Sequence, residues 1–461
     1  MTPVGIVLTI PGVGVIVGIT VGVGVGVGLG LGVVRVAVGV GDGVWATTAV
    51  DAPSNRAVDK YTRDFIEIGM ITRRPRAAFL AGREGGIVDT GMAARSPVAQ
   101  VLSQRTAPAA PELVELLPDG RLRCYSCGHR CPIPEGREGV CRVRYREGAE
   151  LRVPWGYVGA LQCDPIEKKP FFHALPGSDA LSFGMLGCDL HCAYCQNWFT
   201  SQSIRDPEAV GSPRDVTAAA LADLAVESGA PTIVSTYNEP LITAEWAVAV
   251  FREARSRGLK TGFVSNGNGT PQVLDFLRPW IDFYKVDLKS MDDLHYRQLG
   301  GVLQNVLDTI VGIHERGIWL EVLTLIIPAF NDSEAELTRA AKFIASVSRD
   351  IPWHVTAFHP DYKMNDRGAT PAETLRRACE IGTAEGLRYV YAGNIPRGVG
   401  RWEDTRCPGC GTTVIERSGF RILANRLRDG ACPKCAMAIP GRWDHRLEGS
   451  TRTHGIPLPV L

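Results

Sequence analysis

The chain is 461 residues long, with 45% hydrophobic residues and a formal net charge of +1. That length allows two or three domains, one of them large, and the balance forces neither disorder nor nucleic-acid avidity. Of thirteen cysteines, eleven fall into three closely spaced groups, a pattern that favours metal and cluster ligation in a reducing cytoplasm over a secreted disulfide framework.

Residues 1–34 carry no charge, and Val21–Val33 reads VGVGVGVGLGLGV. Length and polarity alone would permit a membrane span, but half the repeat is glycine, which is a poor helix former with little apolar area. No basic region precedes Arg35, as a signal peptide would require. Residues 1–91 are therefore expected to be a low-complexity, disordered or non-native extension. Met92 is the first candidate for the natural start and Met70 the second.

A small Cys-rich unit is expected over 112–153. Its Cys124-x2-Cys127-x3-Cys131-x9-Cys141 supplies four thiolates at short spacing, with Gly and Pro turns between them. The pattern fits a structural zinc knuckle, with a second iron–sulfur cluster as the alternative. Lys168 and Lys169 follow in a run of mixed charge and read either as a solvated turn or as a cover over a site.

The next group is Cys188-Asp-Leu-His-Cys192-Ala-Tyr-Cys195. C-x3-C-x2-C places three thiolates on one loop and withholds a fourth. Structural zinc sites close with four ligands, and cubane clusters are also normally held by four. Three on a cubane leave one iron open for catalysis.

From Ala180 to Asn394 apolar strands alternate with helical periodicity. Strands are expected at 180–186, Thr232–Tyr237, Lys260–Ser265, Phe283–Leu288, Leu320–Ile327, His354–Phe358 and Leu387–Tyr391. Helices are expected at Asp215–Ser228, Ala244–Arg257, Val302–Arg316, Glu334–Val347 and Ala372–Glu385. Gly229, Gly258, Gly317 and Gly386 suit left-handed C-caps. Thr270-Pro271 and Asp332-Ser333 are start signals. Such alternation argues for a parallel α/β barrel, whose site lies at the C-terminal rim of the strands. That rim carries Asn238, Glu239, Ser265, Asn266, Asp287, Lys289, Asn331, His359 and Asn394. His354 and His359 read as proton donors or substrate ligands, or as satisfied core histidines. Cys163 and Cys379, outside the groups, read as small buried hydrophobes.

The final unit, 403–445, contains Cys407-Pro-Gly-Cys410 and Cys432-Pro-Lys-Cys435. Two C-P-x-C knuckles at this separation are a zinc-ribbon or rubredoxin-like signal. Zinc is the default ion, and mononuclear iron fits the same ligands.

Cys188-x3-Cys192-x2-Cys195 resembles the signature of radical S-adenosylmethionine (SAM) enzymes. The wider text resembles one branch, the radical SAM component of the AmmeMemoRadiSam system (pyruvate formate-lyase activating enzyme-like). It does so through Cys127-Gly-His-Arg-Cys131, Asp164-Pro-Ile-Glu-Lys-Lys-Pro170, Cys195-Gln-Asn-Trp198, Tyr237-Asn-Glu-Pro240, Val264-Ser-Asn-Gly-Asn268, Val286-Asp-Leu-Lys289, Phe358-His-Pro-Asp-Tyr362 and Tyr391-Ala-Gly-Asn394. The likeness spans about 112–443, and its one small departure is Ala436, where a knuckle usually continues with Gly.

The resemblance implies a partial (β/α)6 TIM-like barrel over 165–400, with small Cys-rich units before and after it. It implies a [4Fe–4S] cluster on Cys188, Cys192 and Cys195 that cleaves SAM reductively to a 5′-deoxyadenosyl radical, which abstracts hydrogen from an unknown substrate. Tyr194 would neighbour the SAM adenine, Asn238 and Glu239 its amino group, and Ser265, Asn266, Asp287 and Lys289 the rest of the cofactor. Implied partners are an electron donor such as ferredoxin or flavodoxin and AMMECR-type and Memo-type proteins, in the cytoplasm, without membrane or nucleic acid. The competing readings are a glycyl-radical-enzyme activase and, from a different class, a multi-zinc scaffold protein.

Overall fold

The computed structural model describes residues 101–206, 212–395 and 398–444, together with four strands nearer the start of the chain. Those strands, Val4–Thr9, Ile16–Val21, Val33–Val40 and Val44–Asp51, pair as two antiparallel hairpins. They belong to a compact unit, Met1–Gly91, separate from the unit Met92–Leu461. The remainder of the segment read as low complexity or foreign lies outside the described residues, as do both candidate start residues.

The second unit is built on an eight-stranded sheet whose spatial order follows the chain. Its strands are β1 (Ala160–Pro165), β2 (Asp179–Gly184), β3 (Thr232–Ser235), β4 (Lys260–Ser265), β5 (Phe283–Asp287), β6 (Trp319–Ile326), β7 (Trp353–Ala357) and β8 (Val390–Gly393). β1 runs antiparallel to β2, and every later pair is parallel. The helices between them are α1 (Ala218–Glu227), α2 (Ala244–Ser256), α3 (Pro271–Leu277), α4 (Asp293–Gln298), α5 (Leu303–Glu315), α6 (Glu334–Val347) and α7 (Ala372–Ala384). Each parallel crossover thus carries a helix, and the result is the expected partial (β/α)6 barrel.

Local chemistry explains the boundaries. Thr217, Thr270 and Ser333 accept hydrogen bonds from the first-turn amides of α1, α3 and α6. Gly229, Gly258, Gly317 and Gly386 all take left-handed φ where α1, α2, α5 and α7 end. The last strand begins later than its apolar run suggests. Leu387 N–H closes α7 on Gly382 O at 3.1 Å, so the first residues after the glycine belong to the helix end. The strands are buried on both faces, as covered parallel strands must be. β1 is a further departure: it precedes the expected barrel boundary at 165 and adds an antiparallel edge to the sheet. Cys163 and Cys379 are buried within the main apolar core, the small-hydrophobe role expected of them.

The first Cys-rich unit consists of two three-stranded sheets. It docks on α2 through a buried fork in which both Arg144 Nη atoms lie 2.7 Å from the Glu245 carboxylate oxygens. The last unit is an antiparallel sheet of Thr405–Arg406, Thr413–Ser418 and Arg421–Asn425. Its core includes Phe172, Tyr389 and Tyr391 of the barrel side, and Arg417 lies over the Phe172 ring and donates to Phe172 O at 2.8 Å. No helix among the described residues is long and apolar enough to cross a membrane.

Candidate active site around a three-cysteine loop

The loop leaves β2 at Gly184, where a Cβ would run into Thr236 O, and turns at Gly187, which holds φ +95. An alanine at Gly187 would also bring its Cβ within 2.8 Å of Val143 Cγ1. Cys188, Cys192 and Cys195 then fall into one apolar cluster with Leu190, Tyr194, Leu299, Ile327 and Phe358. Leu190 N–H points at Cys188 Sγ (3.4 Å), and Ser201 Oγ lies 3.1 Å from Cys195 Sγ. Burial pushes all three thiols up, Cys192 to about 11, while Lys289 pulls Cys192 and Cys195 the other way. Buried thiols of this kind form thiolates when a metal centre takes the charge.

The donor set fits an open-sited [4Fe–4S] cluster. Three free cysteines of one short loop meet in one apolar cluster, and among the described residues they form no zinc-sized group of the kind the C-terminal four make. Cys192 and Cys195 also border a cavity of about 360 Å³ at the C-terminal ends of the strands.

Two Lys–Asp–Lys arrangements face that cavity. On β5 and its exit, Asp287 pairs with Lys285 and with Lys289 (3.5 Å). Burial opposes the Asp287 charge, but the two ammonium groups prevail and hold its carboxyl below the usual range. Burial likewise opposes the Lys289 charge, and Asp287 prevails, raising that amine. Across the cavity Asp164 bridges Lys168 (3.1 Å) and Lys169 (3.0 Å). Burial draws the Lys169 amine down to about 8 even so, and its Nζ also donates to Tyr237 Oη at 2.9 Å. Lys168 and Lys169 therefore line the site and are no mere solvated turn. Tyr194 is buried beside the cysteines, and its hydroxyl has no hydrogen-bond partner among the described residues.

The other residues expected to meet SAM sit behind the loop in a buried network. Glu239 Oε1 accepts from Leu241 N (3.0 Å) and Ser265 Oγ (2.7 Å), and Oε2 accepts from Asn266 N (2.7 Å). Burial, followed by the Asp189 charge, pushes the Glu239 carboxyl up to about 8. Asn266 Nδ2 donates to Asp189 Oδ1 at 2.7 Å and lies 4.0 Å from Cys188 Sγ. Asn238 Oδ1 accepts from Met185 N at 3.0 Å, fixing the start of the loop. The expected set thus divides: Tyr194, Asp287 and Lys289 border the cavity, whereas Asn238, Glu239, Ser265 and Asn266 brace the loop near Cys188.

Three participants escaped sequence reasoning. Asp189 and Asn268 lock together (2.8 Å) within motifs already singled out. Lys285 stands two residues before Asp287, and the period of two along a strand would have put it on the same face. Of the histidines, His354 is a core residue held 2.7 Å from Glu321 Oε2 and stacked on Tyr391. His359 lies at the exposed rim, 2.9 Å from Gln196 Nε2.

The C-terminal knuckles close fully. The sulfurs of Cys407, Cys410, Cys432 and Cys435 lie within 4.8 Å of one another, with 3.5 Å between Cys407 and Cys435 and 3.6 Å between Cys410 and Cys432. Gly411 and Ala436 occupy equivalent left-handed positions, each donating to the carbonyl of the knuckle's first cysteine at 2.9 Å.

Residues 184–341 match the radical SAM superfamily. The chain is 36% identical over 329 residues to the uncharacterized protein MJ0808 of Methanocaldococcus jannaschii, covering 70% of this chain and 97% of that one. It is 27% identical over 144 residues to an isethionate sulfite-lyase activating enzyme of Oleidesulfovibrio alaskensis, covering 30% of this chain and 46% of the relative. Among solved structures, a radical SAM methyltransferase from Sphaerobacter thermophilus aligns over 65% of this chain and 81% of its own, at 16% identity and a TM-score of 0.37.

Proposed function

The chain belongs to the radical SAM superfamily and is a radical SAM enzyme, and we propose that it binds SAM in the cavity beside Cys192 and Cys195 and acts there on an anionic substrate. Cys188, Cys192 and Cys195 are the ligands for the [4Fe–4S] cluster. When bound, cluster and SAM together supply a 5′-deoxyadenosyl radical for hydrogen abstraction. The observation that carries the reading is that two of the cluster cysteines, Tyr194 and the Asp287–Lys289 pair all border one cavity.

The protein's own groups then have distinct tasks. Lys289, kept cationic by Asp287, suits the SAM carboxylate. Tyr194 offers the adenine a buried ring face. Glu239, Ser265 and Asn266 brace the loop behind Cys188. Leu323, Leu325 and Phe420 give part of an otherwise polar wall an apolar surface. Lys168 and Lys169 share one carboxylate between two ammonium groups, which leaves a net positive wall for a substrate carboxylate or phosphate.

The motif likeness supports work within the AmmeMemoRadiSam system, alongside AMMECR-type and Memo-type proteins and a ferredoxin- or flavodoxin-type donor in the cytoplasm. Zinc at Cys407, Cys410, Cys432 and Cys435 completes the proposed metal content. The test is anaerobic: reconstituted protein with SAM and a one-electron reductant yields 5′-deoxyadenosine, Cys192→Ser abolishes it, and deuterium from the true substrate enters the product nucleoside. A colourless, sulfide-free protein holding zinc alone would leave only the scaffold reading. The likeness to a sulfite-lyase activating enzyme favours one other option, glycyl-radical activation, which a stable glycyl radical on a co-expressed partner would establish.

A further inference from the structure

The first Cys-rich unit has little apolar packing of its own beyond the few residues, Leu113, Cys127, Cys141 and Val143, that join the barrel core. Its strands are two to five residues long, and its own buried cluster is Leu122, Cys124, Ile133, Leu151 and Val153. A core of this size is well below what an independent fold needs, and small domains make up the difference with disulfides or metals. Its four cysteines are free. Backbone turns shape the segments that carry them: Cys124 N donates to Cys131 O (3.0 Å), Arg130 N to Cys127 O (3.1 Å) and Arg142 N to Gly139 O (2.9 Å), and, unlike the C-terminal four, their sulfurs form no zinc-sized group among the described residues. Val140 N–H points at Cys131 Sγ (3.4 Å), as amides do toward a thiolate. Arg130 and Arg142 each adopt left-handed φ beside a cysteine, a strain that persists only where the surroundings enforce it.

The same unit grips the three-cysteine loop at four places. Immediately after Cys127, Gly128 N donates to Asn268 O at 2.7 Å, and Asn268 Nδ2 donates to Asp189 Oδ2 at 2.8 Å, one residue from Cys188. His129 Nε2 lies 3.1 Å from Asp189 O. Arg205 joins the carbonyl beside Cys141 to that of the first cluster cysteine, with Val140 O at 2.5 Å and Cys188 O at 2.6 Å. Val143 packs where Gly187 lacks a side chain.

We infer that Cys124, Cys127, Cys131 and Cys141 hold a tetrathiolate metal centre whose occupancy fixes the conformation of the Cys188–Cys195 loop, so that the two centres load together. The inference rests on the reading that the loop carries the catalytic cluster. Sulfurs that form no zinc-sized group suit the wider spacing of a second iron–sulfur cluster, and a zinc ion is the outcome that metal counting separates from it.

The test uses the full chain, expressed and purified anaerobically, with zinc, iron and sulfide counted per chain and cluster loss to a chelator followed by absorbance. Cys127→Ser is expected to lose one centre and to retain the catalytic cluster about 10- to 100-fold more weakly, the usual effect of removing outer-shell support. Zinc lost with it identifies a zinc site, and further iron and sulfide lost identify a second cluster. Gly128→Ala keeps all four thiols, but its Cβ would press on Asn305 Nδ2 at 2.6 Å and closer still on Asn268 Oδ1. It should weaken cluster retention while the new centre stays. Cys410→Ser serves as the control, losing the C-terminal ion with the catalytic cluster intact. A Cys127→Ser chain with the full wild-type metal complement overturns the proposed site. Wild-type cluster retention in both Cys127→Ser and Gly128→Ala overturns the coupling. Wild-type protein without iron or sulfide instead overturns the cluster reading itself.

Discussion

Replacing Lys169 by methionine should stabilise the protein at neutral pH. The Lys169 side chain is only 4% exposed, and its ammonium is held by Asp164 at 3.0 Å and Tyr237 Oη at 2.9 Å. Burial nevertheless draws its pKa from 10.5 to about 8. That displacement corresponds to about 3 kcal/mol against the charged form. That figure already includes the Asp164 charge; methionine additionally forgoes the hydrogen bond to Tyr237 Oη, which offsets about 1–2 kcal/mol. Asp164 keeps Lys168 as its partner at 3.1 Å, so no carboxylate is left bare. Lys169→Met should therefore gain about 1–2 kcal/mol at pH 7, or roughly 2–4 °C in unfolding temperature for each. Because the folded-state pKa lies below the unfolded one, the wild-type deficit is complete below pH 8. It shrinks as pH rises from 8 and is gone above 10.5. Thermal unfolding of wild type and variant from pH 7 to 10, in anaerobic buffer, reads the difference directly. A variant less stable than wild type at pH 7, or a difference that does not move with pH, would refute the reasoning.

Glu245→Ala leaves Arg144 charged and buried without its fork partner, and should cost about 3–5 kcal/mol in chemical denaturation; a loss under about 1 kcal/mol would mean that water reaches Arg144. Ala436→Gly removes a side chain from a left-handed position at φ 58 and should stabilise the second knuckle by about 0.5–1 kcal/mol, seen as slower loss, to a chelator, of whichever metal ion the purified protein holds there. His354→Gln breaks the 2.7 Å contact with Glu321 and should lower stability while 5′-deoxyadenosine formation per folded molecule holds; a selective loss of turnover would return His354 to the chemistry.

The barrel was legible because its signals are local. Glycine stops, Thr and Ser caps and buried strands each announce themselves within a few residues, and their summed order dictates the topology. The three-cysteine loop was legible as a motif for the same reason. What the residues near them do was only half legible. Asp287, Lys289 and Asn266 all stand at strand ends, yet whether a side chain turns into the cavity or back into the loop depends on partners far along the chain. Asn266 meets Asp189 across 77 positions, a pairing no periodicity reports. Lys168 and Lys169 were ambiguous because their surroundings, Asp164 and Tyr237, are assembled by the antiparallel strand β1 and by the turn after β3. β1 itself gave no helix-alternating signal, since it is joined to β2 without a crossover helix.

Phe420 borders the cavity although it belongs to the C-terminal zinc-ribbon-like hairpin. It sits at the hairpin tip between Thr413–Ser418 and Arg421–Asn425, partly open to solvent. A hairpin tip can change in length and chemistry without disturbing a barrel strand. In the proposed reaction, radical generation and substrate choice would then fall to separable parts of this chain. Libraries confined to Gly419 and Phe420 should retune which molecules are accepted while the machinery around Cys188 stays untouched.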